Sequence, residues 1–400
     1  MKRFGAAIGG ALLAAVTIPA AAQVAPLPPP YVGAYQPQGV DEIGWWREDD
    51  EAERELAASP LVIRDEKLNA YIKRVLCSTV GEDRCRAVRM YIMREPTFGA
   101  TMVPNGTMRV FSGLLLRMRS EAELGAVLGH EFGHYEQRHG LKRFKATRSA
   151  TDVLAWGALL ASMAPTYDVR RSYSDLRFSI YGNLFLYSRD NEREADRLGI
   201  GYLNNSSLRP HAASEVWQNV MGEIEASARV KGLKKPNFNS IAFTASHPPH
   251  AERAATMAAL ADPAASSRGD GAESYREAMA PWLPIFLEDQ IKLNDFGASE
   301  YLIQSLAEGG WTAPLWFARG ELYRLRGHPR DLVNAAEFYQ SAIQLDPALA
   351  GAHRGLGLSL LKTARPSDGQ AALRKYLELK PEASDAGMIQ LMLPKEGTPN

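Results

Sequence analysis

Cysteine is scarce: the 400 residues hold two, Cys77 and Cys85. That excludes a dense disulfide scaffold or a cysteine-built metal framework. Eight positions apart, the pair suits one small structural disulfide in an oxidising compartment; in a reducing one they would be two unrelated thiols. Net charge is lacking too, since 46 Lys and Arg balance 46 Asp and Glu. A nucleic acid or other polyanion held by bulk charge is therefore not expected. Nor does any uninterrupted apolar run reach the ~20 residues of a spanning helix. Residues 4–18 (FGAAIGGALLAAVTI) and 150–165 (ATDVLAWGALLASMAP) both fall short.

The chain divides by composition. Lys2 and Arg3, the apolar stretch 4–18 and the small residues Ala20-Ala21-Ala22 read as an export signal over 1–22, cleaved near Ala22. An N-terminal anchor is the alternative reading, and the simplest destination of a cleaved chain is a bacterial periplasm. Residues 23–43 form a proline-rich leader, expected to be mobile. Residues 44–262 read as one α+β unit. Leu68, Ile72, Val75 and Leu76 have helical spacing, while Val88, Met90 and Ile92 alternate as on a strand. FGATMVPNGTMRVFSG predicts two strands joined at Pro104-Asn105-Gly106. Residues 263–275, small, polar and glycine-bearing, are expected to be a linker. Residues 276–394 read as helical repeats of tetratricopeptide type. Trp316, Gly320, Tyr323, Ala335, Tyr339, Ala342 and Pro347 follow that pattern, and Pro381 lies one repeat beyond Pro347.

Three histidines fall in LGHEFGHYEQRHG, residues 128–140. Ser120 and Glu123 mark a helix start as a capping box, and Gly140 is a plausible stop. On that helix His130 and His134 lie one turn apart on one face and can share one zinc ion. Glu131 beside them is placed to act as general base towards a zinc-activated water. An ordinary polar helix face is the competing reading, and Leu124, Val127 and Leu128 weigh against it by pinning the helix into a core. A third histidine six residues after His134 is absent, since Gly140 stands there. A downstream helix, one ending near Gly199, must supply the next ligand. In YSRDNEREADRLG, Glu192 and Asp196 share a face and Glu194 points largely away. Glu192 suits the metal and Asp196 the outer N–H of a ligand histidine, unless this is merely a solvated charged helix.

LGHEFGH, then EREAD, then SHPPHAER resemble the gluzincin metallopeptidases over roughly residues 60–260. These include HtpX-like heat-shock proteases, CAAX-prenyl proteases and mitochondrial Oma-type proteases. With the export signal and the repeats, the chain is most similar to BepA-type periplasmic proteases. The resemblance implies a zincin-like fold and one zinc per chain on His130, His134 and Glu192. It also implies Glu131 as catalytic base, Asp196 as support, and quality control of outer-membrane proteins in contact with their assembly machinery. His247 and Arg253 match the family's His-Pro-Pro and following Arg. His247 either faces the metal, stabilising an oxyanion or filling the open position, or with Arg253 merely ties the loop down. His139 and His250 read as surface or supporting groups. FGATMV matches a substrate-binding edge strand of the family, or is an ordinary internal strand.

Residues 151–165 are expected to form a buried or lid helix, with shallow membrane contact as the alternative. The expected function is a periplasmic zinc metalloendopeptidase whose repeats recruit an unfolded client or a partner. The rival is a chaperone or assembly adaptor with a latent protease site.

Overall fold

A computed structural model of the chain describes residues 29–31, 36–163, 188–240, 248–363 and 365–394. The export signal and His247 lie outside the described residues. The described residues are mostly helical, with one small sheet among them. In chain order the first elements are α1 (Gly39–Ala58), α2 (Glu66–Val80), α3 (Glu82–Cys85), β1 (Arg89–Met93), β2 (Ala100–Met102) and β3 (Thr107–Phe111). Then come α4 (Ser112–Arg117), α5 (Glu121–Glu136) and α6 (His139–Met163). A further helix, α7, covers 188–204, followed by α8 (Ala212–Val230) and α9 (His250–Leu260).

The strands lie in the order β1-β3-β2, β1 parallel and β2 antiparallel to β3. The β2–β3 turn needs Gly106, whose φ is +90° and whose Cβ would sit 2.7 Å from the Ala87 carbonyl oxygen. The apolar stripe of α2 packs on this sheet and on α5; Ile72, Leu76, Ile92, Met108, Leu124, Leu128 and Phe132 are fully buried. Between α2 and α3, Cys77 and Cys85 form a disulfide with Cα atoms 5.1 Å apart. Opening this eight-residue loop by reduction is expected to cost about 2–3 kcal/mol of stability, measurable as a lower urea midpoint with added dithiothreitol.

Parts of the leader and of the linker stretch contact the folded unit. Within the leader, Pro30 accepts a hydrogen bond from the Tyr135 hydroxyl at 2.9 Å, and the Tyr31 ring lies 5.8 Å from that of Phe132. A buried phenol needs a partner, and this stretch supplies it. The stretch 263–275 is likewise packed rather than free: Ala265 is fully buried, and the Asp270 carbonyl accepts from Ala122 N–H at 2.9 Å. A main-chain carbonyl of this stretch thereby serves an orphan donor at the start of α5.

The chain continues as α10 (Ala272–Met279), α11 (Leu283–Lys292) and α12 (Phe296–Leu306). These extend the same core instead of starting a separate one. Tyr275 donates to the Leu115 carbonyl at 2.5 Å, Arg94 pairs with Asp289 at 2.6 Å, and Phe286, Leu287 and Leu302 join the buried cluster. Two helical hairpins follow, α13 (Ala313–Arg326) with α14 (Pro329–Leu345) and α15 (Ala350–Leu361) with α16 (Pro366–Leu379), then α17 (Ala386–Leu391). A Cβ at Gly320 or Gly355 would stand 2.6 or 2.2 Å from the Tyr339 ring. Both glycines are therefore required for that buried ring to sit between the helices.

Residues 151–163 form the second half of α6, and the described side chains there are not those of a core helix. Leu154 is buried, but Trp156 is 66 % exposed and Val153 half exposed. Among the described residues no helix is long and apolar enough to cross a membrane.

Candidate metal centre

Helix α5 presents the histidines because its start is fixed. Ser120 accepts from Glu123 N–H at 3.1 Å, and the Glu123 carboxylate accepts from Arg119 N–H at 2.7 Å. Leu124, Leu128 and Phe132 bury one face, which turns His130, Glu131 and His134 into a cleft of about 760 Å³. The helix stops at Glu136, four residues before the expected Gly140. Arg138, at φ +54°, turns the chain into α6, and Gly140 falls inside that next helix.

Helix α7 crosses α5 at glycines. It runs on through Gly199 rather than ending there. A Cβ at Gly199 would lie 3.0 Å from His130 N, and one at Gly133 3.2 Å from Leu198 Cβ. This close crossing brings Glu192 to the histidines. Gly199→Val should separate the helices, costing about 1–3 kcal/mol of stability and weakening metal binding at least ~10-fold; urea titration and chelator competition read the two effects.

The donors converge. His130 Nε2 and His134 Nε2 are 3.1 Å apart, with Glu192 oxygens 3.6 and 3.4 Å from them respectively. Ligands ~2.0–2.1 Å from one tetrahedral ion stand roughly 3.3 Å from each other, so the three fit a single small cation. Two neutral imidazoles and a carboxylate, all on one point, are also the donor set that zinc accepts.

Behind them the support is layered. Asp196 Oδ1 is 2.9 Å from His130 Nδ1 and also takes the Arg253 guanidinium, which binds the carboxylate at 2.5 and 2.8 Å. Arg253 lies 3.7 Å over the Trp217 ring, on whose plane His250 stacks. Burial opposes ionisation of Asp196, but His130 and Arg253 outweigh it and hold the carboxyl down to about 2. Burial and the Arg253 charge oppose protonation of His130; without a metal, its bonds to Asp196 and Glu192 push it up to about 9. Glu131 is raised above the ordinary carboxylate range by burial, against the pull of His130 and His134. His139, held down to about 4 by burial, stays neutral near pH 7.

The structure thus gathers His130, Glu131, His134, Glu192, Asp196 and Arg253 at one cleft. Two groups were missed as partners. His139 is buried against His134, with Nδ1 atoms 2.9 Å apart, and Glu194, expected to point away, reaches His139 at 3.1 Å. Only the turn at Arg138 creates these contacts, and no residue type announces it. The cleft walls are apolar, from Phe98, Phe111, Val127, Val216, Trp217 and Met257. Edge strand β2 borders it through Gly99, Ala100 and Thr101.

Residues 62–261, half of the chain, match Peptidase family M48. The mitochondrial metalloendopeptidase OMA1 of Schizosaccharomyces pombe is 27 % identical over 185 residues, 46 % of this chain and 50 % of that one. A beta-barrel assembly-enhancing protease of Yersinia pestis is 28 % identical over 175 residues, 42 % of this chain and 35 % of that one. The metalloprotease YcaL of Escherichia coli is 31 % identical over 156 residues, 39 % of this chain and 55 % of that one. The chain spans about half the length, or less, of most such relatives. With its histidine pair and carboxylate converging as described, the chain belongs to peptidase family M48.

Proposed function

We propose that the protein is a zinc metalloendopeptidase of the periplasm that cuts extended segments of misfolded or stalled outer-membrane proteins. The observation that carries the chemistry is the convergence of His130, His134 and Glu192 beside Glu131 in one cleft. When bound there, zinc would supply Lewis acidity towards water and towards the scissile carbonyl. Glu131 takes the proton of the attacking water and delivers it to the leaving amine. Asp196 and Arg253 hold His130 in place throughout.

The cleft suits an unfolded client. Gly99 O and Val103 N bond to β3, at Phe111 and Thr107, so by alternation the backbone groups of Ala100 and Met102 point to the outer edge. An extended peptide can add there as a further strand, its apolar side chains meeting the cleft walls. Ala100→Pro, which removes one outward N–H and no bond to β3, should lower kcat/KM for an unfolded substrate by up to about tenfold, with bound metal unchanged.

The client class rests on the name of the Yersinia pestis relative, a beta-barrel assembly-enhancing protease. The hairpins α13–α14 and α15–α16, with Pro347 and Pro381 just beyond the second helix of each, support a tetratricopeptide-like module that recruits client or assembly partner. The exposed Val153 and Trp156 of α6 support peripheral contact with a membrane. The test is cleavage of a urea-unfolded outer-membrane β-barrel protein by the purified chain. Loss of cleavage with a chelator and recovery with added Zn2+ is expected; cleavage indifferent to the chelator would overturn the zinc reading.

A further inference from the structure

We propose that Glu194 and His139 are positioning residues that set the tautomer of His134, through a chain Glu194–His139–His134. The proposal rests on the reading of His134 as a metal ligand and adds what aims it. His139 is 3 % exposed, and each of its ring nitrogens has a partner: Nε2 is 3.1 Å from Glu194 Oε2, and Nδ1 is 2.9 Å from His134 Nδ1.

Proton accounting along this chain has one outcome that leaves a metal donor. A carboxylate only accepts, so His139 Nε2 carries a hydrogen and donates it to Glu194. A neutral imidazole has one such hydrogen, so His139 Nδ1 offers a lone pair. His134 Nδ1 must then be the donor, and its single N–H is spent there. His134 Nε2 is left as a bare lone pair, and that nitrogen faces His130 Nε2 at 3.1 Å and Glu192 Oε1 at 3.4 Å. A hydrogen on Nε2 would instead point into the donor cluster and block it.

The backbone is built for the contact. On an unbroken helix residues five apart stand roughly 140° apart around the axis, so His139 could not reach His134. The left-handed turn at Arg138, a conformation uncommon outside glycine, starts a new helix and folds His139 back. The arrangement mirrors the other side, where Asp196 takes Nδ1 of His130 at 2.9 Å. One helix, α7, thereby supplies the third donor, Glu192, and the carboxylates that orient both imidazoles. A histidine's outer nitrogen usually meets a carboxylate or carbonyl directly; here a second imidazole stands between.

The test uses the full chain and Zn2+ alone, with affinity read by competition against a chromophoric chelator. His139→Ala should weaken Zn2+ binding about 10–100-fold. His139→Asn, whose amide oxygen can accept where His139 Nδ1 did, should stay within about threefold of wild type. Glu194→Ala, at a half-exposed position where folding is safe, should weaken binding several-fold. In the metal-free protein, 15N-labelled imidazole spectra should show His134 with its proton on Nδ1, and a mixed tautomer in Glu194→Ala. Wild-type affinity in both alanine variants overturns the proposal, as does a His134 proton on Nε2. So does His139→Asn falling as far as His139→Ala, which would mean that only volume matters. A wild type that holds no Zn2+ would sink the metal reading instead, and the tautomer spectra would then decide the chain by themselves.

Discussion

Glu131→Gln is expected to hold one zinc ion with wild-type affinity and to lose cleavage by about 10²–10⁴-fold, the range of a positioned general base. The substitution keeps the size and polarity of the side chain and removes only its ability to take a proton. Glu131 is not among the three converging donors, which is why metal content and activity should separate in this variant. The measurement pairs metal analysis with cleavage of an unfolded substrate. If variant and wild type both hold zinc and neither cleaves, yet both bind the client, the chain works as a chaperone or adaptor with a latent site. If the variant also loses the metal, Glu131 belongs to the donor set and the geometry has been misassigned.

Asp196→Ala should produce the largest loss of stability among the site residues. It strands the Arg253 guanidinium, whose side chain is 6 % exposed, without its bidentate partner. Breaking a buried pair from one side costs about 3–5 kcal/mol. His130 also loses the acceptor of its Nδ1 proton, which should weaken metal binding about 10–100-fold. The pH dependence carries a sign. Asp196 titrates lower in the folded chain, at about 2, than in the unfolded one, near ~3.9. Its contribution is therefore fully present above about pH 4 and is lost as the pH falls towards 2. Urea titrations of the metal-free protein between pH 7 and pH 3 should show that acid-side decline in wild type and a flatter curve in Asp196→Ala. Equal urea midpoints at pH 7 would mean that Arg253 finds another partner and that the pair does not anchor the site.

Much of the centre was legible because it is local. His130, Glu131 and His134 are set by helical period alone, and the cap at Ser120 by its spacing to Glu123. Glu192 and Asp196 were readable as a pair because they too share one turn of one helix, but their meeting with His130 was implied by resemblance, not by period. Composition did not show the contacts that the leader and the linker stretch make. Residues 263–275 and Pro30-Tyr31 look like linker and leader, yet their carbonyls satisfy donors elsewhere, at Ala122 N–H and the Tyr135 hydroxyl. A sequence shows which backbone groups a segment carries and not which distant donors need them.

The sequence by itself determined the helix with its two imidazoles and a carboxylate one residue on, and the turn at Asn105-Gly106. Each follows from spacing within a few residues, where the backbone period decides which side chains share a face. Tertiary structure alone decided the rest. It set the crossing of α5 and α7 at Gly133 and Gly199, the clasp of Arg253 on Asp196, and the return of His139 beneath His134. Those contacts join residues up to 69 positions apart, as at Gly199 and His130, or pass through a left-handed turn at an arginine. They exist because burying charged and imidazole groups requires each to find a partner, and where that partner lies is settled only when the helices pack.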